Sequence, residues 1–368
     1  MSEQEHPPLV DESLFKDTLG DAAAGDGRRR ARPGMREVAA VAGVAMSSVS
    51  RVLSGHPDVS PVMRKRVFAA VEALAYKPNL LAQSLRRQET MTVGFVVRDI
   101  SNPLMAEILK AAETRLREAG YAVMLTNSES LPGLDASHIR LFEQRQVDGL
   151  ILSLTSETHG KTNILLAQLD VPCVVVDRDV ATGVRVSRVL YDHRSGVRAA
   201  VGHLLDLGHR RIDLILGAPV RPSRERRIGF EAEFALRGLP KTYRIVEAGE
   251  FAAESADHAV AELLDGEDRP TAIIVGSNQM VPGAVRALTE RNIVLRDDLS
   301  LVGCDDSILA QLYRPPIAVV KSDNAAVGQL TADLLIERMQ AIDTPPRDAH
   351  VATEFLPRSS CGPPRAGQ

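Results

Sequence analysis

A short run of hydrogen-bonding side chains lies between Met46 and Arg51, where three serines precede one arginine. The guanidinium of Arg51 can donate two parallel hydrogen bonds to guanine in the major groove, a contact worth about 1–3 kcal/mol of discrimination between bases. Arg51 could instead pair with a phosphate or stay solvated, and Ser47, Ser48 and Ser50 would divide between bases and phosphates. Met46 could contact a thymine methyl or only cover the helix core. The chemistry of this run is that of a nucleic-acid contact.

A second group of charged side chains follows apolar runs later in the chain. Asp177 and Arg178 come directly after Cys173–Val176, Asp305 follows Leu301–Cys304, and Arg226 opens a predicted helix after Leu214–Ala218. Carboxylates accept hydrogen bonds from vicinal hydroxyls, and a guanidinium donates in a planar fork. Such side chains suit a sugar, a sugar acid or a sugar phosphate. The alternative is that the same charges form salt bridges between two subdomains.

Sequence motifs of catalysis are missing from the chain. It contains no HExxH, no GxSxG and no GxxxxGK[ST] pattern, which are the signatures of zinc proteases, hydrolase nucleophiles and phosphate loops. His203 and His209 are six residues apart, and His209 has a structural interpretation between Gly208 and Arg210. We therefore expect no enzyme, no metal and no cofactor.

The composition also bears on the cellular location. Three widely spaced cysteines form no CxxC pair, which favours a reducing compartment over a disulfide framework. The amino-terminal segment is acidic and polar, without the apolar region of a signal peptide. No stretch approaches the ~18 apolar residues that a membrane helix needs. We expect a cytoplasmic protein with no membrane partner.

The serine–arginine run needs a helix to position it, and the surrounding sequence predicts three. The first is stopped by Gly43, since glycine commonly follows the last turn of a helix. The second spans residues 47–53 and carries the run. The third has Ser60 as its N-cap and Pro61 at its first position, and it runs to about Ala75.

Charge is unevenly distributed along the chain. Residues 34–92 carry eight Lys and Arg against four acids, residues 1–33 have a net charge of −2, and the whole chain has −4. Three short helices with a net positive charge predict a DNA-binding module that precedes a larger acidic body. We expect residues 1–33 to form a disordered arm. Its arginine run, 28–32, could touch DNA phosphate, and a solvated tail is the alternative.

From Thr92 onward, short apolar runs alternate with amphipathic helices. The predicted strands include Val93–Val97, Ala122–Leu125, Leu150–Leu152, Cys173–Val176, Ile212–Leu216, Ala272–Val275, Leu299–Gly303 and Ala318–Val320. The predicted helices include Ala106–Glu118, Gly196–Leu207, Pro282–Arg291 and Ala325–Met339. This alternation indicates parallel sheets covered on both faces. Roughly ten strands exceed one comfortable sheet, so we predict two α/β subdomains, with ligand at the carboxyl ends of the strands.

Residues 35–55 resemble the headpiece of the lactose-repressor (LacI/GalR) family in their Val-Ala pair, AGV turn and VSRVL helix. The resemblance continues through Val59-Ser60, Tyr76–Asn79, Ala82–Arg86, Asp99–Pro103, Val147–Gly149, Leu207–Ile212 and Val302–Asp306. It implies a three-helix helix-turn-helix headpiece, a hinge helix and a periplasmic-binding-protein type I effector domain of two Rossmann-like subdomains. The implied domains are the arm (1–33), the helix-turn-helix domain (34–77), the hinge helix or linker (78–91) and the effector-binding and dimerisation domain (92–368).

The resemblance also assigns roles in the basic connector. Ala82 would face the minor groove, and Leu85 would be an apolar wedge that kinks the central step of the operator. Asn79 and Arg86 would hold phosphates. A plain linker with a spare leucine is the alternative. Paired hinges imply a homodimer on double-stranded DNA with a near-palindromic operator, and the carboxyl terminus carries no leucine heptad for a larger assembly.

By resemblance, Asp177, Arg226 and Asp305 match cleft positions that contact a small-molecule effector, a sugar or a sugar acid. Other expected cleft residues are Leu104, Met105, Ser277 and Ser322, with Asn324 close to the last of these. Leu104 and Met105 replace two aromatics that the family commonly has, so stacking on a sugar ring is weaker on that side. Ser277-Asn278 replaces a common Asn-Asp.

The headpiece also departs from the family. Ala45 stands where a serine or threonine usually caps the recognition helix, and the missing bond is worth about 1 kcal/mol. We expect a looser helix entry, or a cap formed by other groups.

These observations favour a ligand-responsive repressor of carbohydrate or sugar-acid metabolism genes. A metabolic activator on the same scaffold remains an alternative. A sugar-binding transport protein would share the α/β body, but the headpiece and the polar amino terminus argue against it.

Overall fold

The computed structural model describes residues 33–76 and 89–365. The chain divides into two compact units, Met1–Gln83 and Ser84–Gln368. The predicted arm up to residue 32 lies outside the described residues, and so does most of the connector. Asn79, Ala82, Leu85 and Arg86 therefore lie outside the described residues, and their roles stay predictions.

The first unit consists of three short helices around a small apolar core. They are α1 (Met35–Ala42), α2 (Met46–Leu53) and α3 (Pro61–Ala73). Gly43 ends α1 in the left-handed conformation, with φ of 62°, which glycine adopts without a steric penalty. The Ser60 hydroxyl caps α3 by accepting from the Met63 amide at 3.3 Å. The predicted helix end at Gly43 and the predicted N-cap at Ser60 are therefore both observed.

The first half of the second unit is a five-stranded parallel sheet in the order β2-β1-β3-β4-β5. Its elements are β1 (Thr92–Val97), α4 (Pro103–Glu118), β2 (Ala122–Asn127), α5 (Pro132–Gln144), β3 (Gly149–Leu152), α6 (Gly160–Gln168), β4 (Cys173–Val176) and β5 (Ser187–Asp192). All four residues of β3 and of β4 are buried. Helices on both faces of the sheet explain why these strands are continuously apolar.

The second half repeats this arrangement, with the parallel order β7-β6-β8-β9-β10. Its elements are α7 (His193–Asp206), β6 (Ile212–Leu216), α8 (Arg221–Leu236), β7 (Ile245–Glu247), α9 (Ala253–Asp265), β8 (Ala272–Val275), α10 (Val281–Glu290), β9 (Ser300–Cys304), α11 (Ile308–Leu312) and β10 (Ala318–Ser322). β4 in the first half and β9 in the second occupy equivalent places. The two predicted α/β subdomains are confirmed.

The last two elements return to the first half and then join the halves. They are α12 (Asn324–Gln340) and β11 (Asp348–Leu356). Residues 348–352 pair in parallel with β5, and residues 353–356 pair antiparallel with β10. β11 therefore links the two sheets into a continuous eleven-stranded order.

α12 packs closely on α4 because Gly328 has no side chain. A Cβ atom at Gly328 would lie 2.3 Å from the Ile108 carbonyl oxygen and 2.7 Å from the Ala111 Cβ. A backbone oxygen cannot turn aside as a flexible side chain would. The approach of the two helices therefore depends on glycine at this position.

We predict that Gly328→Ala destabilises the protein by about 1–3 kcal/mol, because the added methyl forces α12 away from α4. Urea unfolding followed by circular dichroism measures this change. The control is Gly133→Ala in α5, where an added Cβ meets nothing within 4 Å. Equal stabilities of the two variants would contradict the close-packing argument.

Candidate nucleic-acid interface and ligand cleft

Helix α2 separates an apolar face from a polar one. Val49 and Val52 are buried against the other two helices. Met46, Ser47 and Arg51 are exposed, and Ser48 and Ser50 are half-buried. At 3.6 residues per turn, positions 46, 47, 50 and 51 share one side of the helix. Four of the five predicted base- or phosphate-contacting side chains of this helix therefore lie opposite its core.

The amino terminus of α2 lacks a side-chain cap, as the alanine at position 45 predicts. Ala45 is the N-cap, with φ of −67° and ψ of 151°, and no side chain caps the helix. The Ala45 carbonyl accepts from the amides of Ser48 and Val49 at 2.9 and 3.2 Å. The entry into the helix is regular, and what is missing is only the hydroxyl bond.

The second unit has a cavity where the carboxyl ends of both parallel sheets meet. Its lining consists of Arg98, Asn102, Leu104, Met105, Ser153, Val176, Asp177, Arg178, Tyr191, His193, Pro222, Arg226, Phe251, Ser277, Asn278 and Asp305. This is the place that doubly wound folds use for ligands. Six of the seven predicted effector residues line it, whereas Ser322, at the end of β10, does not.

Asp177 and Asp305 are structural equivalents in the two halves. Each follows the fourth strand of its sheet, β4 or β9, and each has a left-handed backbone, with φ of 51° and 67°. The Asp177 amide donates to the Val189 carbonyl and the Asp305 amide to the Val320 carbonyl, both at 2.8 Å. Residues other than glycine rarely adopt this conformation, and such strain concentrates at functional sites. The repeated geometry aims one carboxylate from each half at the cavity.

The Asp177 carboxylate joins the two halves. Its Oδ2 lies 2.9 Å from His193 Nε2, and its Oδ1 accepts from Arg221 Nη1 at 3.2 Å. The Tyr191 amide also donates to Oδ1, at 3.3 Å. Burial alone would raise the pKa of Asp177, but His193, Arg178 and Arg221 hold it below its usual range. The carboxylate is therefore ionised and fully engaged.

Arg226 is held within the second half. It donates from Nη1 to the Gly276 carbonyl and from Nη2 to Asp305 Oδ2, the latter at 3.2 Å. Salt bridging between the subdomains is seen for Asp177 with Arg221, whereas Arg226 and Asp305 pair within one half. A ligand in the cavity would have to share or replace these bonds.

A further ionic group crosses between the halves at the edge of the cavity. Arg224 Nη2 lies 2.7 Å from both Glu157 Oε2 and Asp179 Oδ2. Glu157 Oε1 also accepts from the Arg221 backbone amide at 2.8 Å. Residues 157 and 179 belong to the first half and residues 221 and 224 to the second, so these bonds hold the halves together.

Sequence reasoning missed several lining residues. Arg98 and Ser153 follow β1 and β3, so the strand-end argument that found Asp177 could have found them. Tyr191 lies near the end of a strand, β5, that was not predicted, and His193 is the first residue of the helix that follows it, α7. Phe251 lies in a loop without any periodic signal, and it supplies an aromatic from the second half opposite the apolar Leu104 and Met105.

Among residues 33–76 and 89–365, no group of three or more His, Cys, Asp or Glu side chains could hold a metal ion. No helix within them combines the length and the apolar character that crossing a membrane requires.

We predict that Ala45→Ser strengthens the start of α2 by about 1 kcal/mol, because a hydroxyl at the N-cap can accept from the Ser47 or Ser48 amide. Amide hydrogen exchange in α2 should slow about fivefold, the equivalent of that free energy. Ala40→Ser, on the exposed side of α1, is the control and should slow nothing. Unchanged protection in the Ala45→Ser variant would mean that the helix entry is already satisfied.

Comparisons with known proteins agree with this geometry. Residues 34–79 match the model of bacterial regulatory proteins of the lacI family, and residues 201–361 match a periplasmic-binding-protein-like domain. The ribose operon repressor of Escherichia coli K12 is 32% identical over 310 residues, which span 83% of this chain and 92% of that protein. Catabolite control protein A of Priestia megaterium is 30% identical over 306 residues, 82% of this chain and 91% of the relative.

Solved structures give the same result. The Lac repressor dimer bound to operator and the anti-inducer ONPF has a TM-score of 0.80 at 26% identity, over 90% of this chain and 99% of that one. A complex of the transcriptional regulator CelR with cellobiose has a TM-score of 0.67 at 30% identity, over 89% and 100%. The helix-turn-helix unit and the cleft unit are therefore those of a known regulator architecture, and the chain belongs to the lacI family of bacterial regulatory proteins.

Proposed function

We propose that this protein is a ligand-responsive, sequence-specific repressor of genes for carbohydrate or sugar-acid metabolism. The observation that carries the proposal is the polar side of α2, where Arg51 and Ser47 stand exposed opposite the buried Val49 and Val52. A three-helix unit that presents such a face can place it in the major groove. Its relatives by sequence are repressors and regulators of transcription, and no catalytic step is part of the proposal.

DNA recognition would divide between two segments. Arg51 would read guanine in the major groove, with Ser47 and Ser50 beside it on bases or phosphates. The connector would follow the minor groove, with Leu85 as a wedge between base steps and Ala82 facing the groove, while Asn79 and Arg86 hold phosphates. Action on chromosomal DNA places the protein in the cytoplasm.

The cavity between the halves would bind the effector. Asp305 and Arg226 offer hydrogen bonds to hydroxyl groups, Ser277 and Asp177 lie beside them, and Leu104 and Met105 form an apolar wall. The related CelR structure holds cellobiose, which supports a carbohydrate for this chain. An effector that binds one relative position of the halves better than another changes operator affinity, typically by 1–3 kcal/mol. Activation of promoters by the same coupling is the alternative outcome.

A homodimer would give the operator its near-palindromic form. The helix α11 exposes three apolar side chains, Ile308, Leu309 and Leu312, of which Ile308 is 74% and Leu312 65% accessible. Contiguous apolar side chains on a surface mark interaction sites. The related Lac repressor structure is a dimer on its operator, which supports a second copy of this chain as the partner.

Replacing Arg51 tests the DNA contact. We expect Arg51→Ala to weaken binding to a selected palindromic operator by about 5–150-fold, the equivalent of 1–3 kcal/mol. Arg51→Lys keeps the charge but loses the planar fork, so it should lose most of the same specificity. Competition gel shifts against unrelated DNA measure the ratio of specific to non-specific affinity.

Arg64→Ala, an equal loss of charge on the exposed side of α3, is the control. It should weaken specific and non-specific binding alike. If Arg51→Ala also leaves the specificity ratio unchanged, Arg51 contacts phosphate and not a base. If the wild-type protein selects no site from a palindromic library, the repressor proposal is wrong.

Charging the α11 surface tests the dimer. We expect Leu312→Glu to weaken self-association at least tenfold, because it removes an apolar side chain and opposes like charges across a two-fold interface. Sedimentation velocity over a concentration series measures this change. Ile164→Glu on α6, a residue that is 59% accessible, is the matched control and should remain a dimer. A dimer that survives Leu312→Glu unchanged must use another surface.

A further inference from the structure

The charges around the cavity do not balance. Asp177 is paired with Arg221 and lies beside His193, and Asp305 is paired with Arg226. These pairs account for every carboxylate that lines the cavity. Two lining guanidiniums, those of Arg98 and Arg178, are left on the wall of the first half.

Arg178 is a buried cation that no carboxylate contacts directly, although the carboxylates of Asp177, Glu157 and Asp135 attract it from a greater distance. Arg178 is only 6% exposed. Its one hydrogen bond is donated from Nη1 to the carbonyl of the neighbouring Asp177, at 2.8 Å. The Nε atom is buried and has no partner. Among residues 33–76 and 89–365, no carboxylate oxygen forms an ion pair with this guanidinium. Burying an unpaired charge is costly, so the protein keeps Arg178 at a free-energy cost that an anion could offset.

Arg98 adds a second cation from β1. It donates to Ser130 Oγ at 3.1 Å and to Gln279 Oε1 at 2.8 Å, both neutral acceptors. Its guanidinium carbon stands 5.4 Å from the centre of the Phe251 ring. Burial, together with the nearby charge of Arg178, lowers the pKa of Arg98 to about 10. The two guanidiniums repel each other, and an anion bound by both would offset that repulsion.

The other wall suits hydroxyl groups. Asp305 keeps acceptor capacity beyond its bond from Arg226, because a carboxylate has about four lone-pair sites. The amides of Asn102 and Asn278 bond to each other at 3.0 Å, across the two halves, and both line the cavity. A polyhydroxylated molecule could exchange hydrogen bonds with this set.

We propose that the effector is an anionic carbohydrate, a sugar acid or a sugar phosphate, whose carboxylate or phosphoryl group is bound by Arg178 and Arg98. This inference rests on the proposed function and names the chemical class of its effector. A neutral sugar would leave both guanidiniums without an anion inside a low-dielectric cavity. The same two residues would then discriminate against neutral sugars as well as bind the charged ones.

Thermal unfolding and calorimetric titration of the full chain test the charge requirement. The probes are glucuronate and glucose 6-phosphate against glucose at matched ionic strength, with inorganic phosphate as the anion without a sugar. At least one charged sugar should raise the unfolding temperature, because a ligand that binds the native state stabilises it. Glucose and inorganic phosphate should bind far more weakly. The glucuronate and glucose 6-phosphate arms separate a carboxylate from a phosphoryl group.

Arg178→Gln should weaken binding of the charged sugar at least about 30-fold, as loss of one partner of a buried charge pair does. Without ligand, the variant should keep about the wild-type stability, because the cost of burying the guanidinium is removed together with its attraction for the Asp177 carboxylate. Arg338→Gln is the matched control. Arg338 is also buried with an unpartnered Nε, but it does not line the cavity, so its removal should leave ligand binding unchanged.

Three results would overturn the inference. They are equal stabilisation by glucose, equal stabilisation by inorganic phosphate alone, and full retention of charged-sugar binding in Arg178→Gln. Operator binding measured with the same probes separates this failure from failure of the proposed function. If only neutral sugars change operator affinity, whether they weaken or strengthen it, the anionic class of effector is refuted but ligand control is not. Operator affinity that responds to none of the sugars, nor to a wider metabolite set, would refute ligand control and the anionic class with it.

Discussion

The Asp177 carboxylate is buried where the two halves of the second unit meet, and an ionised group in that position must be neutralised from within the protein. Arg221 of the second half provides this neutralisation, and His193 at the crossover is hydrogen-bonded to the same carboxylate. The attraction between Arg221 and Asp177 holds the halves together without any ligand, and Arg224 with Glu157 adds to it at the edge. A ligand that enters the cavity must therefore compete with bonds that the protein already makes. Its effect on the angle between the halves follows from which of those bonds it replaces.

Hydrogen bonds connect the surroundings of Asp177 to the surface of the first half. The Tyr191 hydroxyl, beside Asp177, donates to Asn324 Oδ1 at 2.8 Å, and Asn324 Nδ2 donates to Glu107 Oε2 at 2.8 Å. These bonds join a cavity residue, the start of α12 and the exposed side of α4. Tyr191 and Asn324 are buried in this network, whereas Glu107 is exposed, so the geometry is strict at the cavity end and looser at the surface. A change in the position of the Tyr191 side chain would alter the hydrogen bond at Glu107 without any movement of the sheet.

Sequence reasoning succeeded where one physical rule dominates. Buried parallel strands such as β4 and β8 are uniformly apolar, so they were recognised together with the charged residue that follows β4. The strands β5 and β11 were missed because charged residues interrupt their apolar ones, and β7 was missed because it has only three residues. Arg98 was within reach of the strand-end argument, but Phe251 was not. Pairing of Asp177 with Arg221 depends on tertiary distance, which no spacing in the sequence encodes.

The strand β11 is hydrogen-bonded on one side to β5 along residues 348–352 and on the other to β10 along residues 353–356. Thr353, at the change-over, donates its hydroxyl to the Asp192 carbonyl and accepts from the Gly196 amide. A slide of one half past the other would break one of the two ladders, since a shift of a single residue turns every side chain to the opposite face. Bending at residues 352 and 353 breaks neither. β11 therefore permits rotation of the two halves about residues 352 and 353 and resists translation of one half along the other.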